Sequence, residues 1–211
     1  MFKIPHPPVL LVADVGFFGE NLHTVVGECL AAGCRWVVVR AKKRPVEEVK
    51  TAVKKVLHEA NEYEGLVFVN SFAEVAAELD AHGVHLPQGY SVQQAKQVVG
   101  KKPVGVSAHS LTEALEAEKD GADYVTLSPV FPSISKEGYS KTVGLEGIKI
   151  VSSKLRIPVV ALGGIRPGNA ASCLLNGAKA VALLGALSES VPPSTVIRRI
   201  IDEIRQNNPQ T

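Results

Sequence analysis

Eight short apolar runs punctuate the chain, at residues 9–13, 36–39, 66–69, 84–86, 104–106, 124–127, 159–162 and 180–184. Each is apolar at odd and even positions alike. Strands buried on both faces have this pattern, so the runs predict a parallel sheet covered by helices. Between the runs the apolar positions change to helical spacing. Residues 20–32 carry Leu22, Val25, Val26, Cys29 and Leu30, and residues 45–62 open on a proline and carry Val49, Val53, Val56 and Leu57. Ser91 is a candidate N-cap for a helix reaching Val99. Residues 111–120, 145–154, 167–176 and 192–206 give further helical segments. Gly33, Gly83, Gly121 and Gly177 each stand just before an apolar run, where a glycine ends a helix as a left-handed cap. Eight strands alternating with helices in 211 residues predict an α/β fold, a single compact (β/α)8 TIM barrel over residues 1–211. An open doubly wound sheet is the alternative.

Composition narrows the function classes. The chain is 45% hydrophobic and 21% charged, as ordinary globular domains are. A net charge of +2, from 23 basic and 21 acidic residues, gives no basic excess for nucleic acid, and 5% aromatic residues give little to stack on bases. No apolar run approaches the roughly 20 residues that cross a bilayer. Pro5, Pro7 and Pro8 interrupt any signal-like N-terminus, and Cys29, Cys34 and Cys173 lack redox or zinc spacing. The expectation is a cytoplasmic protein with buried, reduced cysteines.

In a barrel, chemistry belongs at the C-terminal ends of the strands. The polar residues there are Asp14, Arg40 with Lys42, Asn70 with Ser71, Gln88, Ser107 with His109, and Ser128. Gly163-Gly164 ends the seventh run and Gly185 the eighth. Glycine lets an anion reach the backbone, and a helix opening at Arg166-Pro167 would add N–H groups, so these two loops predict a phosphate site. Pro129 to Gly144 is a 16-residue connection carrying Ser133, Ser135, Lys136 and Lys141, read as a lid over the substrate. His109 is the better placed acid–base group, whereas His85 reads as an interior histidine.

Seven segments, taken in order, resemble the thiamine-phosphate synthase family and its sister branch, the thiazole tautomerases. They are Val37 to Lys42, Val67 to Asn70, His82 to Gln88, Val104 to His109, Gly121 to Val125, Ser128 to Lys136, and Pro158 to Ile165. The resemblance implies an enzyme of thiamine biosynthesis on a (β/α)8 barrel. The synthase joins a thiazole phosphate to a pyrimidine diphosphate and displaces diphosphate with magnesium. By that pattern Arg40, Lys42, Asn70, Ser107 and Lys136 would hold the diphosphate substrate. Ser133, Ser135, Gly164, Leu184 and Gly185 would surround the thiazole phosphate.

The departures shape the expectation. Ser71 stands where the synthase has an aspartate after its asparagine, and Gly89-Tyr90 occupies the place of a second acid. Those acids are the family's magnesium ligands, and magnesium needs hard oxygen ligands. The tautomerase branch also lacks them, but it has a histidine where Pro129 stands. The lid is synthase-like. The expected activity is therefore tautomerase-like proton transfer on a thiazole phosphate, with His109 and Lys136 as acid–base candidates and no cofactor or metal. A divergent synthase, which would need magnesium, is the runner-up, and a non-catalytic precursor-binding barrel is the third reading. The expected partner is a small-molecule phosphate, with neither nucleic acid nor membrane, and there is room for a homodimer.

Overall fold

The computed structural model describes residues 2–132, 142–188 and 191–207. Eight parallel strands close into one barrel in sequence order, from β1 to β8 and back. They are β1 (Val9–Asp14), β2 (Trp36–Arg40), β3 (Leu66–Asn70), β4 (Gly83–Leu86), β5 (Val104–Ala108), β6 (Tyr124–Leu127), β7 (Val159–Leu162) and β8 (Ala180–Leu183). The helices are α1 (Val15–Phe18), α2 (Leu22–Ala31), α3 (Val46–Asn61), α4 (Ala73–Glu78), α5 (Val92–Val99), α6 (Leu111–Lys119), α7 (Gly144–Lys154), α8 (Ala170–Leu175) and α9 (Pro193–Asn207). The open-sheet alternative is thereby excluded.

Strand parity sorts the core into two layers. One set of residues, including Val9, Leu11, Val37, Val39, Val67 and Val69, packs against the helices. The alternate set, including Leu10, Val12, Trp36, Val38, Phe68, Tyr124, Val160 and Ala182, fills the barrel. The three inner aromatic rings lie 4.9–6.0 Å apart, and Phe2 from the N-terminal segment packs against all three. These rings plug the N-terminal end. The same inward parity carries Asp14, Arg40 and Asn70 to the open, C-terminal mouth.

The rings also explain two glycines. A Cβ on Gly83 would lie 2.6 Å from the Phe68 ring, and one on Gly105 would lie 2.1 Å from the Tyr124 ring. Gly33, Gly121 and Gly177 end helices with positive φ, as expected, but Gly83 does not share that conformation. Its role as a helix cap is corrected: it is the gap in β4 that Phe68 fills. Gly105→Ala is expected to destabilise the fold by about 1–3 kcal/mol or more, because overpacking a rigid core forces off-rotamer side chains. Urea unfolding checks this, and a loss below about 0.5 kcal/mol would show that the Tyr124 ring yields freely.

All three cysteines are buried and free. Burial pushes the Cys34 thiol up to about 11 and the Cys173 thiol to about 12. Both are therefore neutral and unreactive packing groups.

Candidate functional site

At the mouth, Asp14 and Arg40 form an ion pair across β1 and β2. The other Asp14 oxygen accepts the Phe17 backbone N–H at 2.9 Å and caps α1. Both oxygens of this buried carboxylate are thus engaged. The Arg40 side chain remains 35% exposed, which leaves guanidinium donors facing the mouth. Lys42 lies on the exposed loop that follows.

On β3, the Asn70 amide donates to the Ser71 hydroxyl at 2.7 Å and to the His85 carbonyl at 3.1 Å. Ser71 has φ 69°, the left-handed region that asparagine and aspartate enter more readily than most residues. Gln88, Gly89 and Tyr90 are exposed on the loop after β4.

His85 is the interior group expected from its sequence context. Its Nδ1 lies 3.1 Å from the Tyr124 hydroxyl and its Nε2 2.9 Å from the Ser107 hydroxyl, with Thr126 Oγ1 at 3.4 Å. Burial, helped by the Arg40 charge, lowers the imidazole to about 4, so it is neutral at pH 7. Burial likewise raises the Tyr124 phenol well above its ordinary value, so it keeps its proton. The phenol can donate only if Nδ1 is the bare nitrogen, which puts the imidazole proton on Nε2. With that tautomer Ser107 accepts from Nε2–H; with the other, Nδ1–H donates to the phenol oxygen and the Ser107 hydroxyl donates to Nε2. Tyr124 was missed in the sequence because nothing in an apolar run marks one ring as a hydrogen-bonding partner.

His109 sits just past β5. Its Nδ1 lies 2.6 Å from the Ser128 carbonyl, which can only accept, so Nδ1 carries a proton. Its backbone N–H donates to Glu113 at 2.6 Å. In the neutral ring Nε2 is then the basic nitrogen, on a side chain held by the Ser128 carbonyl just past β6. Ser133, Ser135 and Lys136, the expected lid residues, lie outside the described residues.

The phosphate loops differ from expectation. Gly163 and Gly164 have φ 99° and 65°, and Cβ atoms there would lie 2.8 Å from Pro129 Cα and 2.5 Å from the Pro132 carbonyl oxygen. The loop after β6 bonds here as well, with Phe131 N–H donating to Gly163 O at 3.0 Å. The two glycines are therefore required by loop packing whatever binds beside them. The helix expected at Arg166-Pro167 begins instead at Ala170. The Gly168 and Ala171 N–H groups donate to the Glu203 carboxylate of α9, at 2.6 and 2.9 Å. The contribution expected of this helix start is corrected: its Gly168 and Ala171 N–H groups are already taken by a side chain. Gly163, Gly164, Leu184 and Gly185 remain together at the ends of β7 and β8, where Gly185 opens a 3-10 turn (Gly185–Ser188).

The residues at the ends of β3 and β4 bring neutral oxygens, and the Asp14 carboxylate is committed. Among the described residues no group of three His, Cys, Asp or Glu side chains is placed to hold a metal ion. This donor set does not fit a magnesium ion held by protein carboxylates.

Comparison with known proteins adds the family. A family profile described as thiamine monophosphate synthase matches residues 9–187. The chain is 37% identical over 183 residues to a thiamine-phosphate synthase of Pyrococcus furiosus, covering 85% of this chain and 88% of that protein. It is 36% identical over 192 residues to a thiamine-phosphate synthase of Dictyoglomus thermophilum, covering 90% and 86%. The solved thiamine phosphate pyrophosphorylase from Pyrococcus furiosus superposes with a TM-score of 0.85 at 30% identity, covering 95% of this chain and 96% of that one. These relatives carry the name of the runner-up activity, and none of the three is named as a tautomerase. The match spans the whole barrel, and the chain belongs to the thiamine monophosphate synthase family of thiamine-biosynthesis enzymes.

Proposed function

We propose that this enzyme holds a thiazole carboxylate phosphate, its phosphate at the ends of β7 and β8, and catalyses a metal-independent proton shift that makes the ring aromatic. The observation that carries this reading is the absence, among the described residues, of an uncommitted carboxylate at the ends of β1, β3 and β4. Displacing a diphosphate needs that charge neutralised, whereas moving a proton within one molecule needs only a base and an acid. His109 Nε2 takes the ring proton, and the same nitrogen, or Lys136 as the second acid–base candidate, returns it to the exocyclic carbon. Arg40, Lys42, Asn70 and the Ser107 hydroxyl supply donors for the carboxylate and phosphate. Gly163, Gly164, Leu184 and Gly185 enclose the phosphate end.

The synthase reading is favoured by the names of the relatives. A double substitution separates the two. Ser71 already has a backbone conformation that aspartate tolerates, so Ser71→Asp with Tyr90→Asp restores carboxylates without strain at position 71. The pair is expected to raise magnesium-dependent thiamine phosphate formation at least 10-fold above the level of the unaltered enzyme. An unaltered enzyme that already forms thiamine phosphate briskly, and gains nothing from the added acids, would establish the synthase instead.

A further inference from the structure

At the end of the barrel opposite the mouth, a cavity of about 410 Å³ lies between α2, α9 and the segment before β1. Its size falls within the roughly 300–1,000 Å³ of small-molecule pockets and exceeds what one phosphate ion fills. Arg35, Arg198 and Arg205 line it together with His6, and Asp202 is the one carboxylate among the lining residues. Arg198, Ile201, Asp202 and Arg205 follow helical spacing, so one face of α9 presents the Arg198 and Arg205 guanidinium groups to the cavity.

Arg35 is already fixed in place. Its Nη1 donates to the Leu30 and Cys34 carbonyls, each at 2.8 Å, and its guanidinium lies 5.9 Å from the centre of the Tyr63 ring. Two of its five N–H donors are thus used, and the rest are held without further loss of side-chain freedom. Among the described residues, none of the ion pairs involves Arg35, Arg198, Arg205 or Asp202. Three guanidinium groups facing one carboxylate leave an uncompensated positive charge in a concave site.

We infer that this cavity is a second anion site that takes a small phosphate-bearing molecule of at least two negative charges, with a diphosphate group as the simplest occupant. Guanidinium groups bind phosphate oxygens in pairs, and Arg35 supplies the preorganised anchor. Ala32, Gly33 and Ile201 supply the apolar part of its lining. The site does not depend on the reaction proposed at the mouth.

Titration with inorganic diphosphate, without magnesium, tests this by NMR shifts of the Gly33 and Arg35 amides and the Ile201 methyl groups. Saturable shifts at these positions are expected at sub-millimolar diphosphate and 150 mM chloride. The Arg198→Ala, Arg205→Ala double variant is expected to bind there at least 10-fold more weakly. Both side chains are exposed and without hydrogen bonds among the described residues, so the fold should hold. Arg199→Ala, exposed on the same helix but away from the cavity, is the charge control and is expected to bind as the unaltered chain does. Unshifted signals at millimolar diphosphate, or equal weakening by Arg199→Ala, would overturn the site.

Discussion

Replacing His109 by alanine is expected to lower kcat on thiazole carboxylate phosphate by on the order of 100-fold or more, with KM changed by less than about three-fold. The argument is positional. The Ser128 carbonyl holds Nδ1–H, so Nε2 is the basic nitrogen and the ring cannot swing away from the mouth without losing that bond. General acid–base groups of this kind contribute about 100- to 10,000-fold, mostly to the chemical step. A group that only contacts the phosphate would instead raise KM. Chemical rescue distinguishes the two: added imidazole restores part of kcat in the variant if the ring moves a proton. Turnover within two-fold of the unaltered enzyme would remove His109 from the chemistry.

The second large effect is on stability. His85 is neutral in the folded barrel with its imidazole at about 4, against an ordinary value of 6.5. The unfolded chain binds a proton below about 6.5 that the folded chain refuses until about 4. This contribution is therefore fully present above pH 6.5 and is lost as pH falls through that window. The difference of about 2.5 units corresponds to about 3 kcal/mol, most of it gone by pH 4.5. His82, whose imidazole is also lowered by burial, acts in the same direction. Urea midpoints measured from pH 7.5 to 4.5 should fall steeply, and His85→Gln should flatten that slope even though it starts less stable. An unchanged slope in His85→Gln would assign the acid sensitivity elsewhere.

The barrel was legible because its strands are buried on both faces and its longer helices are amphipathic. All eight apolar runs became strands, and Ser91 caps α5 by accepting the Gln94 N–H at 3.2 Å. The misses share a physical cause: they are contacts between distant segments, or elements too short to show a period. α1 has four residues and α4 six, fewer than two turns, so neither produces a stripe. Gly83 looked like a helix cap because local sequence cannot show the Phe68 ring from the neighbouring strand. At the site, the ring of strand-end residues was readable from topology alone, and Arg40, Asn70, Ser107 and His109 do converge on the mouth. That Glu203, from α9, caps the start of α8 was not readable, because the two segments are more than 30 residues apart. Nor was the pairing of Asp14 with Arg40, which commits the carboxylate at the end of β1. That pairing matters most for function, since a sequence reading counts acids, whereas only a structure shows which oxygens are already committed.

The most direct test of the account incubates the unaltered enzyme with a chelator and each substrate set in turn. Thiazole carboxylate phosphate alone should become aromatic at a rate that the chelator leaves unchanged. Thiazole phosphate with pyrimidine diphosphate should yield little or no thiamine phosphate, with or without magnesium. Rapid thiamine phosphate formation that the chelator abolishes, with no aromatisation of the carboxylate substrate, would contradict the metal-independent proton shift.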